Sequence, residues 1–156
     1  PPKSGDMNKF TEINPSIESP STPFIDPSGK EVTLHEFKNN WTLLNFWATW
    51  CAPCISELPS LAKLESKINN SKFKLLLISI DRSGPKVFQP FLKRLGLTSL
   101  KSGSDPKASL MRKLGLTGIP TTLLISPTGK VVGKLVGTAK WDTPSAVELV
   151  NFYLRN

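Results

Sequence analysis

The sequence predicts an α/β domain in which a central mixed β-sheet is flanked by helices on both faces. Three observations carry that prediction. Two near-continuous apolar runs, Thr42 to Ala48 ("TLLNFWA") and Phe73 to Ile80 ("FKLLLISI"), have the length of strands and place themselves in the middle of a sheet covered on each side. Between them Ile55, Leu58, Leu61, Leu64 and Ile68 recur at helical spacing, so strand, helix and strand follow one another as a parallel crossover. Farther on, "TTLLIS" from Thr121 and "KVVGKLV" from Lys130 flank the turn Ser126-Pro127-Thr128-Gly129 and form a hairpin.

The other elements fall in order around this frame. Residues 1–23 are rich in Pro, Ser, Asn and Lys with little periodicity; too little surface can be buried to offset ordering, so they read as a flexible tether. The folded domain then covers residues 24–156. It opens with an N-terminal β-hairpin turning at Asp26-Pro27-Ser28-Gly29. After the second central strand, Pro85 opens a helix with Phe88, Phe91, Leu92 and Leu95 on one face and Gly96 past its end. Asp105 caps the next, with Pro106 first inside, Leu110, Met111 and Leu114 inward, and Gly115 closing it. A last helix starts at Thr143-Pro144 and runs to Leu154.

Composition excludes several classes. At 156 residues the chain buries a core without needing disulfides, which leaves its two cysteines for chemistry. No stretch approaches the roughly 20 apolar residues that cross a bilayer. The start at Pro1-Pro2-Lys3 leads us to expect a targeting segment or anchor upstream, with residues 1–23 its remnant. The net charge of +8 favours anionic partners, yet the lysines are scattered along the chain without an arginine-rich or aromatic-interleaved patch, so no nucleic-acid partner is expected.

Both cysteines lie in "NFWATWCAPC", Asn45 to Cys54. A structural disulfide between residues this close would close almost no loop and so stabilise little. A zinc site would need two further ligands, and the single histidine, His35, lies across a predicted strand and reads as a surface or capping residue, so no metal is expected. Inert buried thiols do not fit the place either. Cys51 falls where the strand ends and the helix begins, where unpaired N–H groups and the positive end of the helix dipole stabilise a thiolate and lower its pKa. Cys51 is therefore the expected nucleophile and Cys54, one turn on and pointing inward, the resolving thiol; no cofactor beyond this pair is expected. "TGIPTT" places Pro120 before an apolar strand, where it cannot donate to a ladder; a cis Ile119-Pro120 peptide and an ordinary trans proline both fit.

These residues resemble the thioredoxin superfamily: Trp50-Cys51-Ala52-Pro53-Cys54 after an apolar strand, Pro59 in the next helix, and Ile119-Pro120-Thr121 later. Within it the chain is similar to the TlpA/ResA-like extracytoplasmic thiol-disulfide oxidoreductases through "LLNFWATWCAPC", the pattern Cys51, Cys54, Glu57, Pro59, and "DPSGKEVTLHEF". The segment from about Ser83 to Leu114 resembles that family's helical insertion before the proline loop. The resemblance implies a thioredoxin-like fold with that loop cis and lying against the cysteines. It also implies substrate contacts at Trp50, Ala52, Pro53, Ile119, Pro120 and Thr121, the last group through backbone offered to an extended partner.

Thioredoxins carry a buried Asp six places before the first cysteine, where this chain has Asn45. An amide cannot take a proton. Glu57, on the same helical face as Cys54, is the expected replacement, with a pKa raised by burial and the task of deprotonating Cys54. Ala52-Pro53 adds no positive charge between the cysteines and Glu57 adds a negative one, which favours a dithiol reductase over an oxidant. The family implies a periplasmic or otherwise extracytoplasmic monomer reducing disulfide-bonded proteins in cytochrome c maturation or copper-site assembly, recharged by a membrane electron donor of the DsbD or CcdA type. A disulfide-forming oxidase, a copper chaperone of the same fold and a peroxidase are the alternatives.

Overall fold

In chain order the computed structural model, which describes residues 1–156, has β1 (Phe10–Glu18), β2 (Phe24–Ile25), β3 (Glu31–Val32), β4 (Trp41–Trp47), α1 (Ala52–Lys67), β5 (Phe73–Ser79), α2 (Pro85–Arg94), β6 (Ser102–Ser104), α3 (Ser109–Lys113), β7 (Thr121–Ile125), β8 (Lys130–Val136) and α4 (Pro144–Leu154). The strands form one mixed sheet in the order β1-β8-β7-β4-β5-β6-β2-β3. At its centre β4 runs parallel to β5, from Trp41 opposite Phe73 to Trp47 opposite Ser79, and antiparallel to β7. The fold is thioredoxin-like, as the motifs imply.

Because successive side chains of a strand point to opposite faces, β4 serves two cores at once. Leu43 and Trp47 pack with Leu58, Leu61 and Leu64 of α1, Phe88 and Leu92 of α2, and Leu149 and Tyr153 of α4. Leu44 and Phe46 pack on the other face with Leu110 and Met111 of α3, with Phe24 and Val32 of the N-terminal hairpin, and with Leu34 of the 3-10 turn after it. Asn45 has the parity of Leu43 and Trp47, which puts an amide on the α1 face in the middle of the apolar strand.

Three expectations are corrected. Residues 1–23 are not a tether throughout: Gly5–Lys9 form a 3-10 turn and β1 pairs with β8 at the sheet edge, from Phe10 opposite Leu135 to Glu18 opposite Lys130. The strand was hidden because an edge strand exposes most of its residues, and its register is broken between Glu12 and Ile17 around the cis Asn14-Pro15 peptide. Phe10 anchors it: the ring lies over Gly133 of β8, where any Cβ would collide with it, and contacts Tyr153 at 5.9 Å between centroids. The second correction is α3, which begins at Ser109 rather than Pro106. Asp105 still caps it, from farther upstream: its carboxylate accepts the N–H groups of Leu110 at 3.3 Å and Met111 at 3.0 Å, and Ala108 takes a left-handed φ of 53° between them. Leu95, third, ends α2 with an exposed side chain instead of facing inward.

One strand had no apolar signal. β6, "SGS", lies between β5 and β2, and Gly103 is required there because a Cβ would sit 2.6 Å from the Ile25 carbonyl oxygen.

Phe10→Ala should lower the unfolding free energy by about 3 kcal/mol, the scale of a buried aromatic truncation, as measured by urea denaturation. Unfolding indistinguishable from the parent would detach β1 from the cooperative fold.

Candidate active site

β4 ends at Trp47 and hands the chain, through Ala48, Thr49 and Trp50, to the first turn of α1. This short connection is tied down. Asp81, just past the end of the neighbouring β5 and 4% exposed, accepts the Thr49 N–H at 3.0 Å, the Thr49 hydroxyl at 2.6 Å and the Ser79 hydroxyl at 2.6 Å. Cys51 is the N-cap of α1. Its sulfur accepts the backbone N–H of Cys54 at 3.3 Å, and its carbonyl accepts that of Ile55 at 3.1 Å. Pro53 has no N–H to offer, so the sulfur takes a donor that helix geometry leaves without an intrahelical partner.

Cys51 and Cys54 form a disulfide with 5.3 Å between Cα atoms. Cys54 is 1% exposed and Cys51 7%, so only the first sulfur reaches toward solvent. Across from them the Ile119-Pro120 peptide is cis, and the Ile119 carbonyl oxygen lies 4.0 Å from the Cys51 sulfur. The proline loop therefore sits against the cysteines. The Thr121 hydroxyl donates to the Gly118 carbonyl at 2.8 Å, and the Pro120 carbonyl accepts from Gly137 at 2.9 Å, which fixes the loop on both sides.

Glu57, one turn after Cys54 on α1, is 2% exposed and held by three donors. Oε2 accepts the Ala139 N–H and the Trp141 indole N–H, each at 2.9 Å, and Oε1 accepts the Asn45 amide at 3.1 Å. Asn45 gives its other proton to Thr122 Oγ1 at 2.9 Å, while its Oδ1 has no partner. Burial pushes the Glu57 carboxyl above the ordinary value of 4.5, and the bonds from Trp141, Ala139 and Asn45 oppose that rise without cancelling it. The Asn45 amide thus helps to hold the Glu57 carboxylate in place.

The remaining residues divide by exposure. Trp50 is 68% exposed and projects from the loop before Cys51; Ala52 and Pro53 are exposed on the first turn. Ile119 is half-buried, and Pro120 and Thr121 are buried. His35 lies in an exposed turn capped by Thr33 and Glu36, far in sequence and element from the cysteines. No group of three or more His, Cys, Asp or Glu is arranged to hold a metal. Sequence reasoning did not find Asp81, Ala139 and Trp141, which are brought to the site only by tertiary pairing. A lone aspartate at the end of an apolar strand was the one legible signal for Asp81.

Such an arrangement does one kind of chemistry, the exchange of a disulfide for two thiols, and on this sheet it defines the class of thioredoxin-like thiol-disulfide oxidoreductases. The chain belongs to the redoxin family, whose model matches residues 6–150, and within it is a TlpA/ResA-like member of the thioredoxin superfamily. It is 29% identical over 133 residues to the thiol-disulfide oxidoreductase ResA of Bacillus cereus, covering 85% of this chain and 76% of that protein. With ResA of Geobacillus thermodenitrificans it is 31% identical over 135 residues, covering 84% and 76%. A Chlorobium tepidum protein assigned to the DsbE thiol:disulfide interchange type superposes with a TM-score of 0.73 at 25% identity, over 90% of this chain and 94% of that one. StoA of Bacillus subtilis, at 24% identity, shares the fold with a TM-score of 0.68, over 87% and 98%. The chain is an oxidoreductase acting on protein disulfides through Cys51 and Cys54.

Glu57 also sets a pH dependence. Its folded pKa lies above the unfolded one, so the stability it contributes is complete below about pH 4.5 and is lost as pH rises through the folded value. Gln at this position can keep its oxygen on Ala139 and Trp141 and offer its NH₂ to the unpartnered Asn45 Oδ1 after an amide flip. Glu57→Gln should therefore fold, and its unfolding free energy should gain on the parent as pH rises through that window. Urea unfolding across the range checks this; a difference constant with pH contradicts it.

Proposed function

We propose that this protein is a dithiol reductase working outside the cytoplasm, which reduces disulfides in partner proteins of cytochrome c maturation or copper-site assembly. The observation that carries the direction is the buried carboxylate of Glu57 one turn beyond Cys54, with no cation between the cysteines. A negative charge there disfavours thiolate and so destabilises the dithiol relative to the disulfide, which makes the dithiol a better electron donor. Similarity to ResA supports the same reading.

In the reduced protein the Cys51 thiolate attacks one sulfur of a partner disulfide. That bond breaks, a mixed disulfide forms on Cys51, and the other partner sulfur leaves as a thiolate and takes a proton from water. Glu57 accepts the proton of the Cys54 thiol. The Cys54 thiolate then attacks the Cys51 sulfur, expelling the second partner thiolate, which is protonated in turn. Two electrons have passed to the partner, and the chain is left with the Cys51–Cys54 disulfide. Trp50, Ala52 and Pro53 on one side and the backbone of Ile119, Pro120 and Thr121 on the other hold the partner's cysteine against Cys51. A membrane electron donor of the DsbD or CcdA type restores the dithiol. The protein acts as a monomer with no further cofactor.

Trapping tests the division of roles. Cys54→Ser should accumulate a long-lived mixed disulfide on Cys51 with an extracytoplasmic partner, whose identity follows from its mass; equal trapping by Cys51→Ser would reverse the roles assigned to the two sulfurs.

A further inference from the structure

The lysines and arginines that look scattered along the chain are not scattered in the fold. Residues 82–116 hold eight of the 20 lysines and arginines but only one of the 12 acids, Asp105. The rest of the chain is close to balanced, with twelve cations and eleven acids, so nearly all of the net +8 resides in this segment. It includes α2 and α3 and lies beside the end of β5, next to the loop that carries Trp50.

Between that loop and the segment runs an open groove of about 1060 Å³. Trp50, Ile80, Val87 and Ala108 give it apolar surface, and Arg82, Lys107 and Arg112 line it with charge. All three cations are exposed, and none is paired: the ion pairs of the structure are Lys63 with Asp142 and Lys130 with Glu18, both elsewhere. The acids nearby are turned inward. Asp81, which also lines the groove, is 4% exposed and engaged by Thr49 and Ser79, and Asp105 is 3% exposed and caps α3. The groove begins at Trp50, the residue before Cys51.

We infer that this groove docks an acidic segment of the partner protein, one that flanks the disulfide to be reduced, and so selects substrates by charge. The inference rests on the proposed reductase function and adds the class of substrate to it. Three unpaired cations beside a large exposed indole complement a polypeptide that alternates acidic and apolar side chains. Concentrating the field at the reacting end speeds encounter with such a partner, by about tenfold or more at low salt for charge-lined clefts.

The test uses three peptides with one identical internal disulfide, flanked by Asp/Glu, by Ser or by Lys, and follows their single-turnover reaction with the reduced protein by acid quench, alkylation of free thiols and the mass of the labelled peptide. At low salt the acidic peptide should react about tenfold faster than the Ser peptide, and the gap should fall below about twofold in 0.5 M NaCl, where the screening length is short. Combined Arg82→Glu, Lys107→Glu and Arg112→Glu should lower the ratio of acidic to basic peptide rates by about tenfold or more. Lys38→Glu, Lys72→Glu and Lys74→Glu together make the same change of net charge at the opposite end of the central strands and should leave the preference in place. Equal rates for the three peptides, or the same loss of preference in both triple variants, would overturn the inference while leaving the reductase reading intact. So would sedimentation of the parent, but not the groove variant, with phosphatidylglycerol vesicles alongside unchanged peptide preference, which would assign the charge to a membrane surface. Failure of the reduced protein to react with any peptide would overturn the reductase reading instead.

Discussion

The bond from the Cys54 N–H to the Cys51 sulfur is the contact on which the site depends. It makes the sulfur a helix cap, placed where sixteen residues of aligned peptide dipoles converge and where a first-turn donor needs an acceptor. The disulfide sulfur already accepts that donor; an ionised sulfur, the stronger acceptor, satisfies it better. The position is enforced from below. β4 is buried along nearly its whole length between two cores, so its end is fixed, and Asp81 holds Thr49 so that the loop to α1 has little freedom. Sheet, loop and helix thus aim one sulfur outward, while the proline loop closes over it from β7.

The second constraint is a charge buried beneath that helix. A carboxylate at 2% exposure is tolerated only with its oxygens engaged, and Glu57 finds three donors on two separate pieces of chain: Asn45 of β4, and Ala139 and Trp141 of the segment after β8. These bonds tie α1 to the sheet and to the segment after β8. Burial still outweighs them, so the group binds a proton more readily than an ordinary glutamate, which suits it to receive one from a neighbouring thiol. Asn45 donates both protons and leaves its own oxygen unpartnered, an arrangement that a carboxylate in its place could not reproduce beside Glu57 without bringing two like charges together.

Much of this was legible in the sequence, because local rules carry it. Strand-length apolar runs fixed β4 and β5, the spacing of Leu58, Leu61 and Leu64 fixed α1, and the place of Cys51 between them needed only those two elements. The turns at Gly29 and Gly129 were likewise local. What escaped depends on partners distant in the chain. β1 is polar and carries a proline, and only Gly133, more than a hundred residues later, explains Phe10. β6 has no apolar residue, yet its Ser102 hydroxyl accepts the Trp47 indole N–H at 2.9 Å. Trp141 had no mark to separate it from any core aromatic. The basic residues of α2, α3 and their flanks looked diffuse in one dimension, and only the fold sets Arg82, Lys107 and Arg112 around one groove.

Reactivity, direction and selectivity are thus assigned to three neighbouring features: a capped sulfur, a buried carboxylate and a cationic groove. The first is primary, since neither of the others matters if the sulfur is not ionised at working pH. Its most direct test is the pH titration of the Cys51 thiolate in the reduced protein, by ultraviolet absorbance with Cys54→Ser as the assignment control. A midpoint clearly below the value of about 8.5 for a free cysteine is the result predicted here; a midpoint at or above it would contradict the account.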